Sequence, residues 1–562
     1  MPDLPPFVLF YLAALAAAVL PQRPRQLLML AVPIVGGLVL LQLPADLLIR
    51  VTFMDMVLEP LRNDRLSQLF GILFHIGAFI GIVFSLHVPE RSQHVAALLY
   101  AGSALGAVFA GDLLTLFVFW EMLALSSVFL IFANRTERAW SAGMRYLVIQ
   151  VISGVLLLAG ALILYRQNGS LGFNHIGLQG AGGVLIFIAF GIKCAFPLLH
   201  NWLTDAYPEA TPTGTVFLSA FTTKVAVYAL ARGFAGTEAL VYIGATMTCF
   251  PIFYAVIEND LRRVLAYSMI NQIGFMVVGI GLGTALAMNG AIAHAFNDVI
   301  FKGLLMMSMG AVLHMTGRIN GSDLGGLYKS MPVTTTLCII GAASISAFPL
   351  FSGFVSKSMV MVAVLEEGHP VVWLALLFAS AGVFHHAGIK IPFFAFFAHD
   401  SGIRTTEPPL NMLAAMGIAA ILCVFIGTYP WTLYGLLPFA VDYAPFDGSH
   451  ILAQIQLLVF SAAAFAWLKV SGIYPPELHS TNLDVEWLYR RLAPNWLRRS
   501  TAGLDRFRHI LMQGSHRAGR GLMRQILHHY GPEGTLARSW PTGSMVLWVA
   551  VLLAASLMLY YL

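Results

Sequence analysis

The chain is built mainly from long apolar runs that contain very few charged residues. Runs of about 17–25 such residues are long enough to cross the ~30 Å hydrocarbon core of a bilayer as helices. Only 10% of the 562 residues are charged, whereas a soluble domain carries roughly 25%. Lipid offers no hydrogen-bond partner to an open strand edge, so the runs must be helical. The composition predicts an all-α polytopic membrane protein with no nucleic-acid partner.

The apolar runs divide into about sixteen segments, and we expect about 14–16 of them to cross the membrane. The segments are residues 6–21, 27–44, 69–88, 94–110, 113–133, 146–165, 183–199, 213–231, 240–257, 264–283, 290–314, 333–365, 371–397, 410–430, 451–470 and 544–562. The first run resembles a signal peptide but has no basic region before it, because its arginines follow it. We therefore predict a retained first helix with its N-terminus outside.

Arginine and lysine are unevenly divided between alternate connections of the predicted helices. The odd-numbered connections carry Arg23, Arg25, Arg91, Arg135, Arg138, Arg145, Arg262, Arg263, Arg318, Lys329 and Arg404. The even-numbered connections carry Arg50, Arg62, Arg65, Arg166 and Arg232. This bias of roughly two to one predicts that the odd-numbered connections are cytoplasmic.

Several ionisable residues lie inside the apolar runs, where each costs about 2.5–3.5 kcal/mol near the bilayer centre. They are Glu121, Lys193, Lys224, Lys302, Lys357, His385, His386 and Lys390. Structural ion pairing explains any one of them, but five lysines spread over successive segments favour a shared role. A lysine buried beside a carboxylate can work as a proton switch, because burial favours the neutral amine and the carboxylate favours the ammonium.

His294, Asp298 and Lys302 are spaced four residues apart and form a polar stripe on one helix face. The stripe predicts that this helix faces protein or water rather than lipid. Asp298 and Lys302 form either a simple i,i+4 ion pair or part of a transfer route. An unperturbed histidine titrates near neutrality, so His294 suits a proton stepping stone.

The tetrapeptide AFPL occurs twice, at 195–198 and 347–350, each time inside an apolar run and close to a lysine. Pro197 and Pro349 remove backbone hydrogen bonds at membrane depth, and Gly353 adds flexibility beside the second break. Broken helices at this depth line cavities and recur in the halves of transporters built from inverted repeats. The breaks lie five segments apart. We therefore predict two inverted five-helix repeats, with ordinary proline kinks as the alternative.

These features predict six parts of the chain. They are N-terminal helices (1–93), a first repeat (94–231), a second repeat (240–397), C-terminal helices (398–470), a basic segment (471–541) and a last helix (542–562). The basic segment interleaves apolar and basic residues, as in a helix that lies in the membrane interface. Pro494 and Pro532 would interrupt a single long helix there. The segment is either a brace against neighbouring helices or a linker bound to anionic lipid.

Five stretches carry a family resemblance: "LLTLFVFWEMLALSSVFLI", "IKCAFPLLHNWLTDAYPEATP", "DLRRVLAYSMINQIGF", "AHAFNDVIFKGLLMM" and "FPLFSGFVSK". Over about residues 100–400 the chain resembles the antiporter-like membrane subunits of the complex I/Mrp superfamily. This superfamily includes proton-pumping subunits of respiratory complex I, their relatives in membrane-bound hydrogenases, and large subunits of Mrp-type sodium/proton antiporters. The stretches "DAYPEATP" and "SGFVSK" are most similar to the D subunit of the Mrp antiporters.

The resemblance implies a role for the buried residues. The matches are Glu121 on the fifth helix, Lys193 on the broken seventh, Lys224 on the eighth, Lys302 on the eleventh and Lys357 on the broken twelfth. In the family such residues form a hydrated charged row, and protonation of one site shifts the next pair. With His294, Asp298 and Lys390 added, these are the predicted proton-translocation residues.

Two features depart from the family pattern. The family usually has a second histidine where this chain has Asp298, so a carboxylate stands four residues from Lys302. This carboxylate either pins the lysine or supplies an oxygen ligand to a hard cation such as sodium. The basic segment before the last helix is similar, in layout only, to the lateral helix of the largest complex I subunit, and the D subunit of the Mrp antiporters is typically shorter than this chain.

The resemblance predicts a proton-conducting membrane subunit of a multisubunit sodium/proton antiporter, a secondary transporter rather than an enzyme. The alternative is a proton-pumping subunit of a complex I-type quinone oxidoreductase or membrane-bound hydrogenase, and a third hypothesis is a partner in a bicarbonate-accumulating complex. We expect a bacterial cytoplasmic (inner) membrane, other membrane subunits and lipid as partners, and protons and monovalent cations as the transported ions. No cofactor is predicted, because the chain has no nucleotide loop and its four cysteines form no CxxC pair.

Overall fold

A computed structural model describes residues 5–54, 56–479, 482–532, 534 and 541–561. The chain forms two compact units, Met1–Asn482 and Leu483–Leu562. The first unit contains both predicted repeats, and the second contains most of the basic segment and the last helix.

The first unit consists of helices and one hairpin. Its helices are α1 (Pro6–Val19), α2 (Gln22–Gln42), α3 (Arg65–Ser85), α4 (Arg91–Phe109), α5 (Leu113–Phe132), α6 (Glu137–Asn168), α7 (Gly180–Lys193), α8 (Asn201–Ala206), α9 (Pro212–Ala220), α10 (Thr222–Gly233), α11 (Glu238–Ile257), α12 (Leu261–Leu282), α13 (Ala285–Thr316), α14 (Pro332–Ile345), α15 (Ser352–Glu366), α16 (Pro370–Val383), α17 (Leu410–Thr428), α18 (Trp431–Tyr434) and α19 (Gly448–Val470). Short 3-10 turns lie at Gly321–Asp323 and Leu327–Lys329, and π-helical turns lie at Phe384–Lys390 and Phe393–Phe397. The strands are β1 (Leu47–Phe53) and β2 (Met56–Asn63).

These elements confirm the predicted membrane architecture. In the described part of the chain, twelve helical stretches are long and apolar enough to cross a membrane. Three shorter apolar helices, α1, α7 and α14, accompany them. With 14 residues each, α7 and α14 are too short to cross a bilayer alone, and each ends just before one of the two AFPL segments. The all-α polytopic class is therefore confirmed.

An antiparallel hairpin, β1–β2, connects α2 to α3, where the sequence analysis predicts no strand. Arg50 of β1 and Glu59 of β2 form an ion pair with an N–O distance of 3.1 Å. The backbone N–H of Glu59 also donates to Asp112 at 2.7 Å, at the start of α5. An isolated two-stranded hairpin is marginal in water. The hairpin therefore depends on tertiary contacts, which the local sequence does not reveal.

The two repeats share the same helix caps, β-bridges and helix lengths. Asp112 caps α5 and forms a β-bridge with Gly172, whereas Asp260 caps α12 and forms a β-bridge with Asn320. Helices α6 and α13 are both 32 residues long, and each follows a threonine and ends at a glycine in the left-handed conformation. The sequence predicts four membrane segments between α6 and α13, so equivalent helices of the two repeats should run in opposite directions.

Both AFPL segments break their helix in the same way. Ala195 and Leu198 have φ angles of 60° and 71°, and Ala347 and Leu350 have φ angles of 57° and 74°. The left-handed region costs a non-glycine residue roughly 1–2 kcal/mol. The same strained geometry at two places indicates a break built into the fold, rather than a kink in a continuous helix.

Gly353 permits a close approach at the second break. A Cβ atom at this position would lie 1.9 Å from the carbonyl oxygen of Ser344. Only glycine lets the start of α15 pack so closely against the end of α14. The breaks near Pro197 and Pro349 are confirmed, because α7 and α14 both end just before them.

The connections separate onto two faces of the first unit. On one, called the basic face below, the odd-numbered connections contact one another through the pairs Arg25–Pro89, Arg135–Glu90, Asn134–Glu209, Arg263–Glu209, Asn259–Ser322 and Asp323–His479. On the other face, even-numbered connections meet through Arg62–Asn174 and Arg232–Asp64. The alternation used in the charge analysis is therefore present in the fold. The cytoplasmic location of the basic face stays a prediction.

The second unit contains a long polar helix. A π-helical turn (Leu488–Leu492) leads into α20 (Ala493–Tyr530), and α21 (Thr542–Tyr561) follows. Pro494 lies in the first turn of α20, where the missing N–H breaks no intrahelical bond. Pro532 lies beyond the end of the helix. The expected interruption therefore does not occur, and the prolines bracket one continuous helix of 38 residues.

Candidate functional site

The ionisable side chains singled out in the sequence lie inside the first unit. Exposure is 2% or less for Lys193, Lys224, His294, Asp298, Lys302, Lys357 and Lys390. Glu121 is partly buried. These eight residues are called the buried row below. Charged groups at membrane depth need polar partners, because lipid and apolar side chains do not solvate them.

An ion pair joins the two repeats within the buried row. Nζ of Lys224 on α10 lies 2.5 Å from Oδ2 of Asp298 on α13, and neither side chain has exposed surface. Nζ of Lys224 also donates to the carbonyl oxygen of Ser219 at 3.4 Å. Desolvating both charges is costly, so such a pair persists only where its geometry is good. The pair links a first-repeat helix to a second-repeat helix.

Lys302 does not form the ion pair with Asp298 that their spacing on α13 allows. Its Nζ instead donates to Oγ of Ser268 on α12 at 2.7 Å. The carboxylate of Asp298 forms its ion pair with Lys224 of α10. The i,i+4 pair considered from the sequence is therefore replaced by contacts with two neighbouring helices.

Glu121 and Lys193 lie near each other in the first repeat. Their charges interact, but no ion pair within 4.0 Å joins these two described residues. Nζ of Lys193 donates to the carbonyl oxygen of Trp120 at 2.5 Å and lies 4.6 Å from the centre of that indole ring. Glu121 extends over Gly154, where an added Cβ atom would lie 1.4 Å from its Oε1. The predicted pair is therefore close but open.

A hydrogen-bonded chain surrounds His294 in the second repeat. Its Nε2 lies 3.0 Å from Oε1 of Gln272, and its Nδ1 lies 3.0 Å from Oγ of Ser356. The amide of Asn297 donates to the same Oγ at 3.1 Å, and the amide of Gln272 donates to Asn271 at 2.8 Å. Sequence reasoning missed these partners, because only their convergence on the imidazole distinguishes them from other uncharged polar residues.

Lys357 lies just after the second helix break. Its Nζ donates to the carbonyl oxygen of Ile345, the last residue of α14, at 3.2 Å, and it lies 5.0 Å from the centre of the Phe275 ring. A cation here complements the negative end of the helix dipole. Beside it, a cavity of about 180 Å³ is also lined by His450 and Gln454 of α19. This volume is large enough for several water molecules.

Lys390 lies at the end of α11 that reaches the basic face. Its Nζ donates to the carbonyl oxygens of Ala255, Val256 and Glu258 at 3.3, 2.7 and 2.6 Å. Oε1 of Glu477 lies 3.1 Å from the same Nζ. Glu477 belongs to the connection after α19, and sequence reasoning missed it because nothing in its local sequence indicates burial.

Comparisons with known sequences point to one superfamily. A family model described as NADH:quinone oxidoreductase/Mrp antiporter, TM, matches residues 110–384. The chain is 30% identical over 422 residues to the A subunit of the Na(+)/H(+) antiporter of Alkalihalophilus pseudofirmus, a match that covers 65% of this chain and 52% of the relative. It is 30% identical over 327 residues to the D subunit of the Na(+)/H(+) antiporter of the same organism, covering 54% and 65%. It is also 27% identical over 410 residues to hydrogenase-4 component B of Escherichia coli, covering 62% and 61%. The chain thus spans about half to two thirds of the length of these relatives.

Solved structures of other membrane complexes share the fold. A chain of the Mrp complex from Dietzia sp. superposes with a TM-score of 0.68 at 20% identity, covering 82% of this chain and 99% of that one. A chain of the membrane-bound sulfane sulfur reductase, an archaeal respiratory membrane complex, superposes with a TM-score of 0.72 at 21% identity, covering 99% and 100%. At these identities the likeness concerns the fold alone.

Proposed function

We propose that this chain, an antiporter-like membrane subunit of the complex I/Mrp superfamily, conducts protons in a multisubunit sodium/proton antiporter of a bacterial inner membrane. The observation that carries the proposal is the Lys224–Asp298 ion pair, which joins the two repeats without exposed surface. Buried charges of this kind are costly and mark ion pathways in membrane proteins. The relatives described as A and D subunits of Na(+)/H(+) antiporters support the antiporter role without favouring either of the two.

Protons can move along the buried row because charges interact strongly in its surroundings of low dielectric constant. Two unit charges 4 Å apart interact by about 4 kcal/mol at an effective dielectric constant of 20. A proton that arrives at one lysine therefore changes the free energy of charging its neighbours. Lys193, Lys224 and Lys302 each have an oxygen acceptor besides any carboxylate, so each ammonium is held until a neighbouring pair changes charge. A lysine–carboxylate pair can therefore act as a proton switch with two states. The separated Glu121–Lys193 pair represents the open state, and the directly contacting Lys224–Asp298 pair represents the closed state.

Sodium exchange would give Asp298 a second role. A hard cation prefers carboxylate oxygen, but the ammonium of Lys224 lies at that oxygen. Sodium would bind there only after Lys224 loses its proton or moves, which would couple sodium entry to proton departure. Asp298→His, which restores the histidine usual in the family, should change the sodium dependence of transport. Unchanged sodium dependence would dismiss a coordinating role for Asp298.

Inverted membrane vesicles that contain the whole complex test the proposal. Proton movement on addition of sodium is followed with a pH-sensitive dye. Lys302→Ala should lower the rate by at least about tenfold, because it removes a fully buried member of the row. Lys329→Ala, which changes an exposed lysine of the basic face, should leave the rate within about twofold. Full activity of Lys302→Ala would refute proton conduction along this row.

A proton-pumping subunit of a redox complex is the second candidate. One observation favours it: the 27% identity with hydrogenase-4 component B of Escherichia coli. Both candidates use the same buried row, so they differ in what drives the protons. Proton movement that requires an added reductant and ignores sodium would support the redox complex. Movement driven by a sodium gradient alone would support the antiporter.

A further inference from the structure

Glu477 is an unusual carboxylate because it is buried with most of its hydrogen-bonding capacity unused. Its side chain is 7% exposed and lies 3.1 Å from the ammonium of Lys390. Apart from this ion pair, neither oxygen has a hydrogen-bond donor among the described residues. Structural ion pairs normally satisfy their remaining lone pairs. A carboxylate left in this condition, at the surface end of a buried lysine, has the properties of a proton acceptor.

His386 is a buried histidine close enough to both Lys302 and Lys390 for their charges to affect its ring. Its ring has no exposed surface, and apart from a contact with the backbone of Gly382 neither ring nitrogen has a hydrogen-bond partner within the described part of the chain. The charges of both lysines act on it. The π-helical turn Phe384–Lys390 carries the histidine together with Lys390, and such turns are frequent at functional sites. An imidazole can accept a proton on one nitrogen and release a proton from the other.

We propose that Lys390 and Glu477 form the proton-binding site through which the buried row opens to the basic face, and that His386 passes protons between this site and Lys302. The inference rests on the proposed proton conduction. The ammonium of Lys390 gives a proton to the carboxylate of Glu477, which leaves two neutral groups. Glu477 then releases this proton to water at the basic face, and Lys390 takes the next proton from His386. Only bonds to hydrogen form and break.

Other titratable groups lie near this site. They are Glu258, Lys469, His385 and Tyr474. Burial raises the pKa of Glu477, and the charges of Lys390 and Lys469 oppose that rise. A raised pKa suits a carboxylate that takes up and releases protons above the ordinary carboxylate range.

A purely structural role for the Lys390–Glu477 pair makes a different prediction. If Lys390 and Glu477 only neutralise each other and neither carries protons, then removing both charges together should restore transport, because no unpaired buried charge remains. If both groups carry protons, the double variant should stay as slow as the slower single variant. The double substitution Lys390→Met with Glu477→Gln therefore separates the two roles.

The experiment uses the whole complex in inverted vesicles, with co-purification of the other subunits as the check on assembly. We expect Glu477→Gln, Lys390→Met and the double variant each to lose at least about tenfold in proton movement. Asp400→Asn, which changes an exposed carboxylate of the basic face, is the matched control and should stay within about twofold. Recovery of the double variant to within about twofold of the parent overturns the proposal, as does full activity of Glu477→Gln. Lys302→Ala is measured in parallel, because its full activity would mean that proton conduction itself has failed.

Two further readouts address proton transfer directly. The parent rate should fall as the pH decreases through the raised pKa of Glu477, because a protonated carboxylate accepts no proton. Glu477→Asp should keep such an acid limb and Glu477→Gln should lose it, so an unchanged acid limb in Glu477→Gln contradicts the proposal. His386→Gln should slow transport by about fivefold or more. His385→Gln, whose ring packs on Phe465 and Tyr474, is the neighbouring control, and equal effects of the two substitutions would remove His386 from the pathway.

Discussion

The two repeats share a backbone plan but bring their charges from different helices. Helices α6 and α13 follow equivalent threonines and have equal length, so Gly154 and Lys302 occupy equivalent positions. In the first repeat the glycine leaves room for the carboxylate of Glu121, which reaches over from α5. In the second repeat the lysine itself stands there and reaches Ser268 on α12. Both halves of the fold therefore place a charged group at the same position, but a residue of a different helix supplies it in each half.

The surroundings of Glu121 in the first repeat and of His294 in the second differ in how well polar groups are satisfied. Oε1 of Glu121 has no hydrogen-bond partner among the described residues, whereas both ring nitrogens of His294 have one. An open, partly exposed carboxylate can change partners at small cost, and a buried imidazole bonded at both nitrogens cannot. Substitutions should therefore affect function more than stability around Glu121 and both properties around His294.

The largest effect is expected where the repeats meet. Asp298→Asn leaves the ammonium of Lys224 unpaired in a site without exposed surface. Removing one partner of a buried pair costs about 3–5 kcal/mol, and we expect proton movement to fall about a hundredfold. Thermal unfolding of the purified protein and dye quenching in vesicles measure the two effects.

A double substitution is the control for that result. Lys224→Met combined with Asp298→Asn removes both charges, so most of the lost stability should return. Transport should remain as low as in Asp298→Asn alone, because the route has lost two carriers. A double variant that transports normally would mean that the pair only holds the repeats together.

The second prediction tests the room above Gly154. Gly154→Ala keeps every charge but puts a Cβ atom 1.4 Å from the present position of Oε1 of Glu121, so the carboxylate must move. We expect about a tenfold loss of transport with little loss of stability. Gly303→Ala on α13 is the matched control, because an added Cβ there meets nothing within 4 Å. Equal rates in the two variants would argue against a placed carboxylate.

The third prediction tests the bonded network of the second repeat. Gln272→Leu removes the oxygen that lies 3.0 Å from Nε2 of His294. An unpaired buried imidazole N–H costs about 1–3 kcal/mol, and transport should fall about three- to tenfold. The change should lower the unfolding temperature more than Gly154→Ala does. The opposite order would contradict the difference drawn between the repeats.

The smallest effect is expected outside the membrane-spanning helices. Burial raises the pKa of Asp64, but its hydrogen bond and charge interaction with Arg232 outweigh burial and hold the pKa below its ordinary value. A lowered pKa stabilises the folded state above about pH 4, and this contribution is lost as the pH falls further. Because the carboxylate is 29% exposed, Asp64→Asn should cost only about 0.5–1 kcal/mol at pH 7. Unfolding curves of parent and variant should converge below about pH 4.

Much of the architecture could be predicted because it depends on local properties. The length of the apolar runs and their low charge identify the helices, and the proline within each AFPL segment identifies the two breaks. The hairpin β1–β2 escaped prediction because contacts with the start of α5 hold it. Glu477 escaped prediction because it lies in a connection, where an acidic residue is ordinarily solvated.

Within the site, too, local sequence predicts which residues are buried charges, but it does not predict how those charges pair. The spacing of Asp298 and Lys302 suggested a pair along one helix, but Lys224 from another repeat holds the carboxylate. Spacing within a helix shows which residues share a face, and it does not show which distant helix that face meets. Likewise, Gln272 and Ser356 acquire a role only because α12 and α15 pack on either side of His294.

Residue identities are enough to predict the membrane class, the helices and the residues whose burial needs an explanation, because the cost of transferring each side chain into lipid is a property of that residue. Which charge meets which partner, and where the row approaches the surface, depends on how the helices pack. The reason is that Coulomb and hydrogen-bond energies depend on distance, and these distances are set by the packing of helices that are far apart in the chain.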